Sequence, residues 1–212
     1  MVDIVKDANR LVSILANKTF QNKTLAHAVK DCTLSNLITE LLLWLLDERV
    51  RYIDDGDQVR KAWNFLVLKI LDNADRTSSF VVLINLLPPL DTSRWPLPAS
   101  NEAIAVKNQT FSELVVKFLI KLTKDLRSTI YDIDLDRILQ SIHVYLQEFG
   151  MEEVRRAGAN DKPLRMVKTV LHGLVKLRGA AVRAHLSMIP EDAEPQPIIL
   201  ALIDLYLQGS EP

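Results

Sequence analysis

Residues 57–87, DQVRKAWNFLVLKILDNADRTSSFVVLINLL, decide the fold. In the first half of this stretch, Trp63, Leu66 and Ile70 recur every three or four residues, which is the spacing of one face of an α-helix. The polar run DNAD at 72–75 interrupts the pattern, and a second apolar helix is predicted around 78–87. The stretch therefore predicts two helices joined by a tight turn.

Helical spacing extends from this hairpin in both directions along the chain. It predicts helices over residues 3–16, 34–45, 110–124, 134–149, 163–177 and 196–207, with a short segment over 180–188. The first helix has an apolar stripe of Ile4, Val5, Leu11, Val12 and Leu15, and Thr33 is the predicted cap of the second. Gly150 and Gly179 are predicted to follow helix ends. No segment predicts a strand.

The pattern breaks at residues 88–109, which contain four prolines and Trp95 and predict a long connection. Pairing 57–73 with 76–87, 110–125 with 134–149, and 163–178 with 180–188 gives hairpins like those of HEAT repeats, whose period is roughly 40–47 residues. The predicted fold is all-α, with HEAT-type helical-hairpin repeats in an α-solenoid and one domain over residues 1–212. An ordinary helical bundle without repeats stays open as the alternative.

Composition excludes several classes of protein. Lys and Arg number 26 against 27 Asp and Glu, so the net charge of −1 gives no general attraction to nucleic acid or to an anionic membrane. The single cysteine, Cys32, rules out an internal disulfide and a zinc site built on several thiolates. The chain lacks a secretory signal pattern and any apolar run of about 20 residues. We therefore expect a cytoplasmic protein.

No pattern predicts catalysis. The four histidines His27, His143, His172 and His185 are dispersed, and the chain has neither a nucleophile motif nor a glycine-rich phosphate loop. Asp132, Asp134 and Asp136 alternate, but the Gly and Glu that a calcium-binding loop requires are missing. Asp134 or Asp132 is instead predicted to cap a helix. We expect no enzyme activity, cofactor or metal, and we expect His143 and His172 at the edge of the core.

Specific runs of sequence resemble one family. They are VLKILDNADRTSSF at 67–80, LINLL at 83–87, FSELVVKFL at 111–119, DLDRILQSIHVY at 134–145, and PLRMVKTVLHGLVKLR at 163–178. Together these runs resemble the C-terminal region of the XMAP/Dis/TOG microtubule polymerases, and they look more like its plant microtubule-organisation members than its animal ones. The resemblance implies a TOG-like HEAT domain on microtubules and the spindle. The partners that it implies are tubulin, or adaptors such as acidic coiled coils.

The family's tubulin-contacting tryptophan cannot be aligned with Trp44, Trp63 or Trp95, and mid-helix Trp44 and Trp63 are predicted to lie in the core. Basic residues are therefore the candidates for partner binding, because tubulin and acidic coiled coils both present negative charge. Between 155 and 183 they outnumber the single acid Asp161, and others lie near predicted turns. The candidates are Arg76, Arg127, Arg155, Arg156, Arg165, Lys168, Lys176, Arg178 and Arg183.

Two interpretations of these basic residues stay open: a binding surface, or a solvated helix face. Trp95 either packs its loop against the body or anchors a partner. At the level of the whole chain, the predicted function is a microtubule-associated module that binds tubulin or adaptors. The alternative function is a structural spacer or intramolecular brace within a longer protein.

Overall fold

The computed structural model describes residues 2–52, 55–91, 93, 101–150, 162–190 and 196–209. All regular structure in these residues is helical, and none of them lies in a strand. None of the described helices is both long enough and apolar enough to cross a bilayer. The chain divides into two compact units, Met1–Ser79 and Phe80–Pro212.

The first unit contains α1 (Val2–Thr19), α2 (Lys23–His27), α3 (Asp31–Leu46), a 3-10 helix (Glu48–Tyr52) and α4 (Gly56–Asn73). Helix α5 (Arg76–Asn85) crosses the boundary between the units. The second unit contains α6 (Asn101–Lys124), α7 (Leu126–Thr129), α8 (Leu135–Tyr145) with a π-helical turn (Leu146–Gly150), α9 (Lys162–Arg178), a 3-10 helix (Gly179–His185) and α10 (Ile198–Gln208). This succession confirms the prediction of an all-α, HEAT-type fold. The single domain over 1–212 stays a prediction.

The tight turn at 72–75 is present between α4 and α5. Asp75 Oδ1 accepts a hydrogen bond of 2.8 Å from the backbone N of Ser78, which satisfies one of the amides at the start of α5. Asp134 likewise caps α8, because its Oδ1 accepts from the backbone N of Arg137 at 3.2 Å. Thr33 is not a cap, because α3 begins at Asp31. Local hydrogen bonds from Asp75 and Asp134 thus mark the starts of α5 and α8, and the cap at Asp134 was predicted.

The prediction of a connection over residues 88–109 is wrong in its second half. Helix α6 begins at Asn101, nine residues before the predicted start, and its first turns mix exposed residues with the half-buried Ala103 and Ile104. The backbone N of Leu90 donates to Asn108 Oδ1 at 3.2 Å, which ties the start of the connection to that helix. Trp95 lies outside the described residues. The short helix α7 was also not predicted.

The first unit is built around α3 and α4. These two helices contribute seven deeply buried side chains: Leu34, Ile38, Leu41, Leu42, Val67, Ile70 and Leu71. Trp63 is buried and Trp44 is half-buried, and their rings tilt together at 5.4 Å between centroids. Lys69 Nζ donates to Asn17 Oδ1 at 2.6 Å, which joins α4 to α1.

At the three positions of the predicted apolar stripe of α1 whose burial the structure describes, the side chains are exposed. Leu11 and Leu15 are each 60% exposed, and Val12 is also exposed. Ala16 and Phe20, at the end of the helix, are the side chains that reach the core. The apolar periodicity predicts the helix α1 correctly, but an apolar face is buried only where another helix packs against it.

The second unit stacks two helical segments in the same direction. Glu113 on α6 meets Lys162 at the start of α9, 49 residues later. Farther along, α7 approaches α9 so closely that a Cβ on Gly173 would lie 3.2 Å from Leu126 Cδ2. Since the contacts follow the same order along both segments, they run parallel, as successive HEAT repeats do. The core between them includes Phe111, Leu119, Leu122, Ile138, Val167, Val170 and Leu171.

Candidate protein-binding surface

The parallel stacking of the second unit places two chain turns side by side. One turn is the segment 125–134 between α6 and α8, and the other is the segment 176–190, which begins in the last turn of α9; we call the two together the turn ridge. Asp136 and His185, at the bases of the two turns, are 49 residues apart, the same separation as that of Glu113 and Lys162. The ridge is thus a direct product of the repeat.

Tyr131 is the most exposed aromatic side chain of the turn ridge, with 81% of its surface accessible. The guanidinium carbon of Arg178 lies 5.2 Å from the centroid of its ring, which is the range of a cation–π contact. Arg178 is half-buried, and its guanidinium group contacts the Tyr131 ring. The contact restricts an aromatic ring that would otherwise move freely in water.

A polar network fixes the two turns to each other. Asp136 Oδ2 lies 2.9 Å from His185 Nδ1, and its Oδ1 accepts a hydrogen bond of 2.6 Å from Ser187 Oγ. On the other side of the imidazole, Arg178 Nη2 lies 3.3 Å from His185 Nε2. Arginine can only donate, so Nε2 is the acceptor and Nδ1–H donates to Asp136.

The same network changes the chemistry of the aspartate. The hydrogen bond from Ser187 is the main cause that lowers the pKa of the Asp136 carboxyl, and the bond from His185 adds to it. Both donors favour the charged carboxylate, whose partners come from the segment 49–51 residues ahead. Asp136 was predicted only as one of three alternating aspartates. In the structure Asp136 joins the two turns, because its partners lie about one repeat later in the chain. A search for polar residues one repeat apart could have identified this role.

The predicted basic residues fall into several environments. Arg127 and Lys176 are exposed on neighbouring turns, since Leu126 beside the first packs against Gly173, one helical turn before the second. Arg183 pairs with Asp204 on α10 at 2.7 Å. Lys168 is half-buried on α9. The structure therefore brings Arg127, Lys176 and Arg178 to one ridge.

Arg76 and Arg165 do not join that ridge. Arg76 lies at the start of α5 in the first unit, half-buried, and its Nη1 is buried without a hydrogen-bond partner in the described part of the chain. Arg155 and Arg156 lie outside the described residues. Arg165 lies on α9 but lines a separate groove, described next.

An open groove of about 590 Å³ runs between α6 and α9. We call it the apolar groove; it is lined by Val116, Ile120, Thr123, Lys124, Lys162, Arg165, Met166 and Thr169. Ile120 is 42% exposed there. The sequence does not predict this groove, because helical periodicity does not show that the neighbouring helix leaves Ile120 uncovered.

His143 and His172 lie outside the turn ridge, and each lies on a helix. His143 is half-buried at the end of α8, and desolvation lowers its pKa. His172 is exposed, with its ring edge-on to Tyr206 at 5.1 Å, so its predicted place at the core edge is wrong. Among the described residues, no three His, Cys, Asp or Glu side chains gather as metal ligands would.

Comparison with known proteins gives the same family as the sequence runs. The chain is 67% identical to protein MOR1 of rice (Oryza sativa subsp. japonica) and 66% identical to protein MOR1 of Arabidopsis thaliana, in each case over 97% of the chain. It is 26% identical, over 91% of its length, to protein mini spindles of Drosophila melanogaster. The resemblance to the XMAP/Dis/TOG family is thereby confirmed.

The greater likeness to the plant members of the XMAP/Dis/TOG family is confirmed as well, because their identity to the chain far exceeds that of the insect protein. The chain spans only 12% of the length of either MOR1 protein and 9% of mini spindles. No family profile matches the chain. No solved structure matches it either.

Proposed function

We propose that this chain is a microtubule-associated, non-enzymatic module of a microtubule-assembly protein, and that its turn ridge binds the acidic surface of tubulin. The observation that carries the proposal is the exposed Tyr131 held on Arg178, with Arg127 and Lys176 on the neighbouring turns. A fixed aromatic ring with cations on the same ridge suits an acidic protein surface, because the ring supplies contact area and the cations speed encounter.

The likeness to MOR1 and mini spindles supports the association with microtubules and the spindle. Ridges of turns are also where HEAT-type arrays expose short loops on a rigid scaffold, which suits binding. An acidic coiled-coil adaptor would meet the same cations and is the other partner that the family resemblance implies. Binding along such a rim is expected to weaken as salt rises.

The test is binding of the chain to unpolymerised αβ-tubulin, followed by fluorescence anisotropy at low and moderate salt. Reversing Arg127 and Lys176 to Glu is expected to weaken binding roughly tenfold, about 1.4 kcal/mol. The matched control reverses Lys23 and Lys61, two exposed lysines of the first unit, and is expected to bind like the unchanged chain. An equal loss in both variants, or no binding at low salt, would reject the ridge as a tubulin site.

The exposed face of α1 favours a second candidate function, the intramolecular brace. Leu11, Ile14 and Leu15 are between 45% and 60% exposed, and contiguous apolar surface in water marks a site that another surface covers. Since the related proteins are much longer than this chain, another segment of the parent protein is the occupant that this candidate requires. Hydrogen exchange of α1 in the whole parent protein and in this chain tests it: a brace predicts stronger protection in the parent.

A further inference from the structure

The floor of the apolar groove between α6 and α9 consists mainly of apolar side chains. Val116 is half-buried, Met166 is buried and Ile120 is exposed at its centre. The two threonines in the lining use their hydroxyl groups within their own helices: Thr123 Oγ1 donates to the carbonyl of Leu119 at 2.7 Å, and Thr169 Oγ1 to that of Arg165 at 2.8 Å. The floor therefore offers hydrocarbon to an occupant.

The rim of the groove is basic. The described residues that line it include Lys124, Lys162 and Arg165 and no acidic side chain. At one end Lys162 Nζ bonds to Glu113 at 2.7 Å, but its side chain stays 53% exposed. Lys124 is exposed at the other end. An occupant with negative charge on both sides of an apolar stripe would complement this rim.

The walls of the groove decide the backbone conformation of the occupant. Both walls are α-helices, whose interior amides and carbonyls already bond within the helix. An extended peptide would lose water from its own backbone groups and gain no backbone partner in exchange, at a cost of about 1–3 kcal/mol for each unsatisfied group. A helix satisfies its own backbone, so it can enter this groove without that cost.

We propose that the apolar groove is a docking site for an amphipathic helix of another protein, with apolar residues at helical spacing flanked by Asp and Glu. This goes beyond the tubulin-binding role, because it assigns a second surface of the same unit to a different class of partner. The face of α6 from Glu113 to Lys124 is roughly 16 Å long, which accommodates about three helical turns. Two or three apolar side chains of the partner would contact Ile120 and Met166.

The experiment uses a fluorescent helical peptide of about 14 residues, stapled on its solvent face, with a leucine stripe flanked by Glu. Two controls share its stripe: one has Lys in place of Glu, and the other has a central proline that breaks the helix. Anisotropy is expected to show salt-sensitive binding of the acidic helix, and binding at least roughly tenfold weaker for both controls.

Variants of the chain locate the site. Ile120→Gln removes the apolar anchor without adding charge, and Lys124→Glu with Arg165→Glu reverses the rim; each is expected to weaken the acidic helix roughly tenfold. The Arg127→Glu, Lys176→Glu variant carries the same charge change on the turn ridge and is expected to bind the helix normally. Loss of tubulin binding in that variant with normal binding of the helix separates the two proposals.

A measurement on the unchanged chain avoids dependence on variant folding. With methyl-labelled methionine, the Met166 signal in the groove is expected to shift on addition of the acidic helix. The signal of Met188, which is 46% exposed on the turn ridge, is expected to stay in place. Equal binding of the basic or broken peptide, an unaffected Ile120→Gln variant, or a silent Met166 signal would each overturn the proposal.

Discussion

The turn ridge and the apolar groove are built on the same pair of parallel segments, yet they differ in what joins the segments. At the ridge, Asp136 links to His185 and Ser187 through short polar bonds, and the exposed ring of Tyr131 is held on Arg178. At the groove, one exposed ion pair between Glu113 and Lys162 joins the helices, and hydrocarbon stays uncovered. The two segments are thus joined by hydrogen bonds at the turn ridge and leave an apolar surface uncovered at the groove.

The largest effect is expected where both surfaces depend on the same core. Leu171 on α9 is fully buried between them, so Leu171→Ala is expected to destabilise the second unit by about 3 kcal/mol through lost burial and a residual cavity. Urea titration followed through the Met166 methyl signal measures this within the unit. A loss confined to one surface would show that ridge and groove do not share a core.

Asp136→Asn sharpens the comparison, because it weakens the ridge alone. We expect a loss of about 1.5 kcal/mol at neutral pH, since the hydrogen bonds to a charged acceptor are lost. The lowered pKa of Asp136 means that the unfolded chain binds the proton first as pH falls, so the unchanged chain loses this stability below about pH 4. The Asn variant should therefore show a flatter decline of stability in acid.

The matched substitution at the groove is Glu113→Gln. The hydrogen bond from Lys162 is the main cause that lowers the pKa of Glu113, and the direction of the pH effect is the same. Because the Lys162 side chain is 53% exposed, solvent screens the pair, and the expected loss is only a few tenths of a kcal/mol. Equal effects at Asp136 and Glu113 would contradict the difference drawn between the two ends.

An effect between those at Asp136 and Glu113 is expected for the backbone that starts the second turn of the ridge. Gly179 has a φ of +56°, and a Cβ there would contact no atom, so Gly179→Ala is expected to cost about 1 kcal/mol through conformation alone. Gly209→Ala is the control, because Gly209 has a φ of −75° and ordinary space for a methyl group. Thermal unfolding compares the two variants. Equal melting temperatures would show that the left-handed backbone at Gly179 does not penalise alanine.

The sequence by itself determined the helices, several of their ends and the repeat character of the chain. These features depend on residues close together along the chain: apolar spacing in α4 and α9, the cap at Asp134, and glycine at position 179. The positions of Arg127, Lys176 and Arg178 near helix ends also follow from the sequence, whereas their role in partner binding stays a prediction. Such signals depend on residues close together in the sequence, so they can be recognised without knowing the tertiary structure.

Only the tertiary structure decided which apolar faces are covered and which polar groups meet. The stripe of α1 has the same periodicity as buried helices, yet Leu11 and Leu15 are exposed, whereas the core side chains of α9 are enclosed by α6, α7 and α10. The bonds from Asp136 to His185 and Ser187 join residues 49 and 51 positions apart. Burial and long-range pairing depend on which neighbour a helix finds in space, and its own periodicity does not contain that information.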